Sequence, residues 1–91
     1  MIRHYNIKVK GKVQGVFYRA STKDKAMELG VRGFVKNMPD GSVYLEAEGE
    51  TEALEQLVEW CQKGPDKAIV EEVSREEGEI KNFEGFKVKY F

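Results

Sequence analysis

The chain has 91 residues, 41 % hydrophobic and 34 % charged, with a formal net charge of −1. That composition excludes a disordered or low-complexity chain and predicts one domain, residues 1–91, around one core. Apolar runs of only a few residues exclude a transmembrane helix, and Met1-Ile2-Arg3-His4-Tyr5 lacks the apolar stretch of a signal peptide. Cys61 is the single cysteine, with no internal disulfide partner, which fits a reducing, cytoplasmic compartment. Charge is uneven along the chain: residues 1–45 carry nine Lys/Arg against three Asp/Glu, residues 46–91 six against thirteen. A basic half suits a phosphate-sized anion, although two halves interleaved in the fold would cancel most of the field.

Tyr5, Ile7 and Val9 alternate with Asn6, Lys8 and Lys10, the period of a half-buried strand. A helix is predicted over about residues 18–29, with Tyr18, Thr22, Ala26 and Leu29 on one stripe and Gly30 as its stop. Strands over 31–37 and 42–48 flank Met38-Pro39-Asp40-Gly41, whose Pro, Asp and Gly suit a type I turn and so a hairpin. Thr51 reads as the N-cap of a second helix with Glu52 and Glu55 in its first turn. Leu54, Leu57, Val58 and Cys61 fall at helical spacing, and Gly64-Pro65 ends that helix. A strand over 68–76 loses its alternation between Val70 and Val73, which predicts a bulge. Phe86, Val88 and Tyr90 make the last strand.

This order gives an α+β, ferredoxin-like βαββαβ plan, the split βαβ. Two helices cover one face of an antiparallel-rich sheet and the other face meets water. The alternating lysines of the first strand suit the wet face.

Most chemistry-bearing residues point away from catalysis. His4, the only histidine, reads as a surface residue with no ligand or base role. Cys61 reads as an inert buried thiol, and Gly64-Pro65-Asp66-Lys67 lacks the arginine that a cysteine-phosphatase loop needs. No His, Cys and Asp cluster has metal-ligand spacing, so no metal is expected. The glutamates between 46 and 59 read as solvated, and Trp60 as core or partial cover.

The informative segment is Gly11-Lys12-Val13-Gln14-Gly15-Val16-Phe17-Tyr18-Arg19, running from the first strand into the first helix. Glycines let the backbone turn tightly against a ligand. Successive N–H groups in such a turn form an anion nest, and a helix N-terminus adds free donors and a positive dipole end. Arg19 supplies a planar fork that matches phosphate oxygens. By local sequence alone the alternative stands equally: glycines that only shape a connection, and a solvated arginine. The segment is not a Walker A loop, since no Gly-Lys-Ser/Thr follows.

A second segment joins it: Gly33-Phe34-Val35-Lys36-Asn37, then Met38-Pro39-Asp40-Gly41-Ser42-Val43, with Gly49 beyond. Together the two closely resemble the acylphosphatase family, which carries G-x-V-Q-G-V-x-F/Y-R and then G-F/Y-x-K/R-N followed by x-x-x-G-x-V. Every defined position is met, and the resemblance extends over nearly the whole chain. It implies the ferredoxin-like fold, hydrolysis of acyl phosphates and no cofactor. It assigns phosphate binding to Arg19 and to the loop of Gln14, Gly15, Val16, Phe17 and Tyr18, through backbone N–H groups. It assigns orientation of the attacking water to Asn37, which the local sequence alone reads as a turn residue bonding its own backbone. Tyr18 replaces a Phe of many members, and Met38 offers no polar group beside Asn37 where some members have one.

The implied chemistry needs neither metal nor histidine. A carboxylate leaves an acyl phosphate without a general acid, and a loose transition state is stabilised by positioned donors. The expected partners are a small-molecule acyl phosphate and orthophosphate, with no nucleic acid, no membrane and a monomeric chain. The competing readings are an RNA-binding module and an anion sensor on the same fold. Arg32-Gly33-Phe34-Val35 faintly echoes an RNP1 motif, but on the second strand and without its aromatic pair.

Overall fold

The computed structural model describes residues 1–90. In chain order the elements are β1 (Ile2–Lys12), α1 (Tyr18–Leu29), β2 (Arg32–Asn37), β3 (Val43–Glu50), α2 (Thr51–Lys63), β4 (Ile69–Gly78) and β5 (Phe86–Lys89). They form one five-stranded sheet in the order β4-β1-β3-β2-β5. All neighbours are antiparallel except β2 and β5, which run parallel with Lys36 opposite Lys89. No helix among the described residues is long and apolar enough to cross a membrane.

The period-two pattern sets the faces. Ile7 pairs with Leu45 and Val9 with Val43, so these side chains share one face of the sheet. That face builds the core with Leu54, Leu57 and Cys61 of α2 and with Tyr18 and Ala26 of α1. Gly30 ends α1 at φ 72°, and the Val31 N–H donates to the Ala26 carbonyl at 2.8 Å. The predicted bulge is present. Lys10 pairs with Glu72 and Gly11 with Val70, so Glu71 is the extra residue. Gly11 sits at φ 133°, packed so close to the Ile69 carbonyl that a Cβ there would overlap it.

Four expectations need correction. The second face is not uniformly wet, because residues 79–85 cross one end of it. Phe83 packs against Phe34 and the His4 ring at 5.7 Å. His4 is therefore buried rather than exposed, and Glu46 and Glu48 are buried rather than solvated. These polar groups survive burial because each is paired. The His4 Nδ1 lies 2.7 Å from Glu48, which also accepts the backbone N–H groups of Lys81 and Phe83. Glu46 accepts from Lys81 Nζ at 2.8 Å and the Tyr44 hydroxyl at 2.9 Å. Fourth, Thr51 is the first helical residue of α2 and not its N-cap, a place taken by Glu50 without a side-chain cap bond. The Thr51 hydroxyl donates instead to the Met1 carbonyl.

Candidate active site

The loop between β1 and α1 is pinned by the side chains it buries. Val13, Val16 and Tyr18 enter the core, while Gly15 and Phe17 face outward. Tyr18 is anchored deepest, its hydroxyl donating to the Cys61 carbonyl at 2.7 Å. Burial pushes the Tyr18 hydroxyl far above its ordinary pKa. Between these anchors the backbone alternates. Gly15 has φ 75° and Phe17 φ 62°, with Val16 at negative φ between them. Alternation of this kind turns successive N–H groups toward one concavity, the geometry of an anion nest. Phe17 is the N-cap of α1 and makes no side-chain cap bond. The first N–H groups of α1 thus have no intrahelical acceptor and add to the same donor set.

The nest opens into a cleft of about 290 Å³ whose lining includes Gly15, Phe17, Arg19, Asn37, Val88 and Tyr90. Topology explains why such distant residues meet. β2 and β5 run parallel, so their C-terminal ends lie side by side next to the start of α1. Asn37 ends β2, and Lys89 ends β5. The C-terminal edge of parallel strands beside a helix N-terminus is a recurrent place for ligands. Arg19 Nη1 donates to the Lys89 carbonyl at 3.0 Å, and its guanidinium carbon lies 4.6 Å from the centroid of the Tyr90 ring. The cation is thereby held at the cleft with further N–H donors of its fork available.

The hairpin that carries Asn37 is tied to the loop by Gln14, whose Nε2 donates to the carbonyls of Met38 and Ser42, both at 2.9 Å. The turn itself is held by Asp40. Its carboxylate accepts from the Ser42 N–H and hydroxyl and pairs with Lys8 at 2.9 Å. The Ser42 donors and Lys8 hold that carboxyl well below the usual range. The turn-forming role open to Asn37 in the sequence thus belongs to Asp40.

Of the residues singled out in the sequence, Gly15, Phe17, Tyr18, Arg19 and Asn37 line the cleft. The side chains of Gln14 and Val16 go elsewhere, to the hairpin and to the core. Cys61 is buried behind the site, and desolvation pushes its thiol up to about 12, far from the thiolate a nucleophile needs. Sequence reasoning missed Val88, Tyr90 and the Lys89 carbonyl. The Arg19 bond to the Lys89 carbonyl spans 70 residues, and no local pattern carries it.

Two solved structures share this architecture over almost their whole length. An acylphosphatase from Coxiella burnetii superposes with a TM-score of 0.94 at 41 % identity, covering 97 % of this chain and 93 % of that one. The acylphosphatase from Bacillus subtilis gives 0.94 at 34 % identity, covering 99 % and 100 %. These define the class as a ferredoxin-like α+β enzyme domain. The family model described as Acylphosphatase matches residues 5–88. A Marinobacter nauticus acylphosphatase is 54 % identical over 76 residues, 84 % of this chain and 83 % of its own. The chain belongs to the acylphosphatase family and is an acylphosphatase hydrolase. The RNA-binding and sensor readings are not favoured.

Proposed function

We propose that the phosphoryl group of an acyl phosphate binds in the nest of residues 14–19 against Arg19, and that the Asn37 amide orients the attacking water. One observation carries this reading: Arg19 and Asn37, on different elements, line the same cleft beside the nest. The water oxygen bonds to phosphorus as the bond from phosphorus to the acyl oxygen breaks. The carboxylate leaves with the electron pair, and one water proton passes to a phosphoryl oxygen. Orthophosphate is the second product. The leaving group is a weak base and needs no general acid. Charge in the loose transition state spreads over the equatorial oxygens, where N–H donors and a guanidinium stabilise it. Asn37 contributes position rather than basicity, since a neutral amide both accepts from and donates to water.

No step is assigned to a metal, a cofactor or a covalent enzyme intermediate. We further propose that the chain acts as one domain, as a monomer in the cytoplasm, without nucleic acid. The lone buried thiol of Cys61 suits a reducing compartment. The test is hydrolysis of benzoyl phosphate in the presence of EDTA, with an aryl phosphate monoester as control. Rapid cleavage of the first and near silence on the second is the expected result. Loss of cleavage on chelation, or equal cleavage of both, would overturn the scheme.

A further inference from the structure

Two large aromatic side chains stand exposed at the phosphate cleft. Phe17 is 78 % exposed and Tyr90 76 % exposed, and both line it. Phe17 also holds the left-handed conformation, φ 62° and ψ 24°. Glycine or asparagine adopts that conformation at lower cost. The nest needs only the Phe17 backbone, which either of those residues would supply. The ring is therefore unexplained by phosphate binding, and it is costly twice, in backbone strain and in apolar surface left in water. Val88, which also packs against the core, continues the apolar wall. One side of the Tyr90 ring is already committed to Arg19 at 4.6 Å, so Tyr90 joins the cation site to this wall.

We propose that the Phe17 ring, with Val88 and Tyr90, forms the subsite for the acyl group, favouring aromatic or extended apolar acyl phosphates over acetyl-sized ones. This rests on the assignment of the nest and Arg19 to the phosphoryl group. With that group held by N–H donors and the guanidinium, the acyl group extends toward the open side of the cleft, where the rings are exposed. A volume of about 290 Å³ is at the small end for a ligand pocket and accommodates a phosphate and one ring.

The test compares kcat/KM for benzoyl phosphate and acetyl phosphate in wild type, Phe17→Asn and Phe17→Tyr. Both leaving groups are carboxylates of similar acidity, so the ratio reads recognition of the acyl group. Asparagine tolerates the left-handed backbone and removes the ring. The benzoyl-to-acetyl ratio should fall at least tenfold in Phe17→Asn, mainly through KM for benzoyl phosphate, and should stay within twofold of wild type in Phe17→Tyr. Competitive inhibition by phenylphosphonate against methylphosphonate gives the same ratio without turnover. A ratio unchanged in Phe17→Asn, even with both rates reduced in parallel, would overturn the proposal and leave Phe17 a loop-shaping residue. Wild-type enzyme inactive on both substrates would instead overturn the phosphoryl assignment beneath it.

Discussion

Arg19, in the first turn of α1, donates to the carbonyl of Lys89 at 3.0 Å while its guanidinium carbon lies 4.6 Å from the centroid of the Tyr90 ring. The cation proposed to meet the phosphate is thus held by the end of β5, alongside the strand that ends in Asn37. A preset arginine loses little freedom when an anion arrives, and its fork still presents donors in a plane.

Orthophosphate should accordingly stabilise the protein by mass action, by about 2.7 kcal/mol at a hundredfold excess over Kd. For a domain of this size that is a rise in Tm of about 10 °C or more. Arg19→Ala should abolish the rise and lower kcat/KM by about 10²–10³-fold. Arg19→Lys should rescue poorly, because a point charge lacks the fork. Thermal melts with and without phosphate check this; equal stabilisation of wild type and Arg19→Ala would place the anion elsewhere.

Cys61 should be dispensable for chemistry. Its thiol is buried with its pKa pushed up to about 12, and its carbonyl accepts the Tyr18 hydroxyl. Cys61→Ala should cost about 1–2 kcal/mol for the small cavity, and Tyr18→Phe about 1 kcal/mol for the lost hydrogen bond. Turnover of Cys61→Ala below its melting temperature should match wild type. An inactive but folded Cys61→Ala would revive a thiol nucleophile, and iodoacetamide sensitivity provides an independent check.

The buried Glu48 should matter for stability and not for turnover. Glu48→Ala strands His4 and two backbone N–H groups, which should cost about 3–5 kcal/mol. Burial alone would raise the Glu48 carboxyl, but the Lys81 N–H, His4 and the Phe83 N–H outweigh it and hold it below its ordinary value of 4.5. Burial also opposes the shift at Glu46, where Lys81 and Tyr44 prevail in the same direction. With folded pKa values depressed, the native state binds fewer protons than the unfolded chain in acid. The stabilisation is therefore complete above 4.5 and is lost as pH falls below it. Melts across this range should show Tm falling in acid for wild type and a flatter profile for Glu48→Gln.

Where local chemistry decided the structure, the sequence was sufficient. The thin stripe of Tyr18, Thr22, Ala26 and Leu29 with Gly30, together with the family resemblance, gives α1 its observed bounds, and Pro39-Asp40-Gly41 gives the hairpin. The broken alternation at Val70 and Val73 gives the bulge at Glu71. The glycines and Arg19 mark the loop, and the family pattern adds Asn37. What stayed hidden depends on distant segments. Alternation in β3 correctly sends Glu46 and Glu48 away from Leu45 and Ala47. It has no means of showing that the irregular residues 79–85 roof that face. The same holds for His4, whose burial comes from Phe83, and for Arg19, whose anchor is contributed by β5. Thr51 failed for another reason. β3 runs directly into α2, so Thr51 is already helical and the capping position falls on Glu50, the last residue of the strand.

The proposed mechanism divides the labour: Arg19 and the nest hold the phosphoryl group while Asn37 positions water. The direct measurement is kcat for benzoyl phosphate together with the inhibition constant of orthophosphate in Asn37→Ala. Asn37→Ala should keep phosphate affinity close to wild type and lose kcat by about two orders of magnitude or more, about 3 kcal/mol in the transition state. Wild-type kcat in Asn37→Ala, or phosphate affinity lost in parallel with activity, would contradict it.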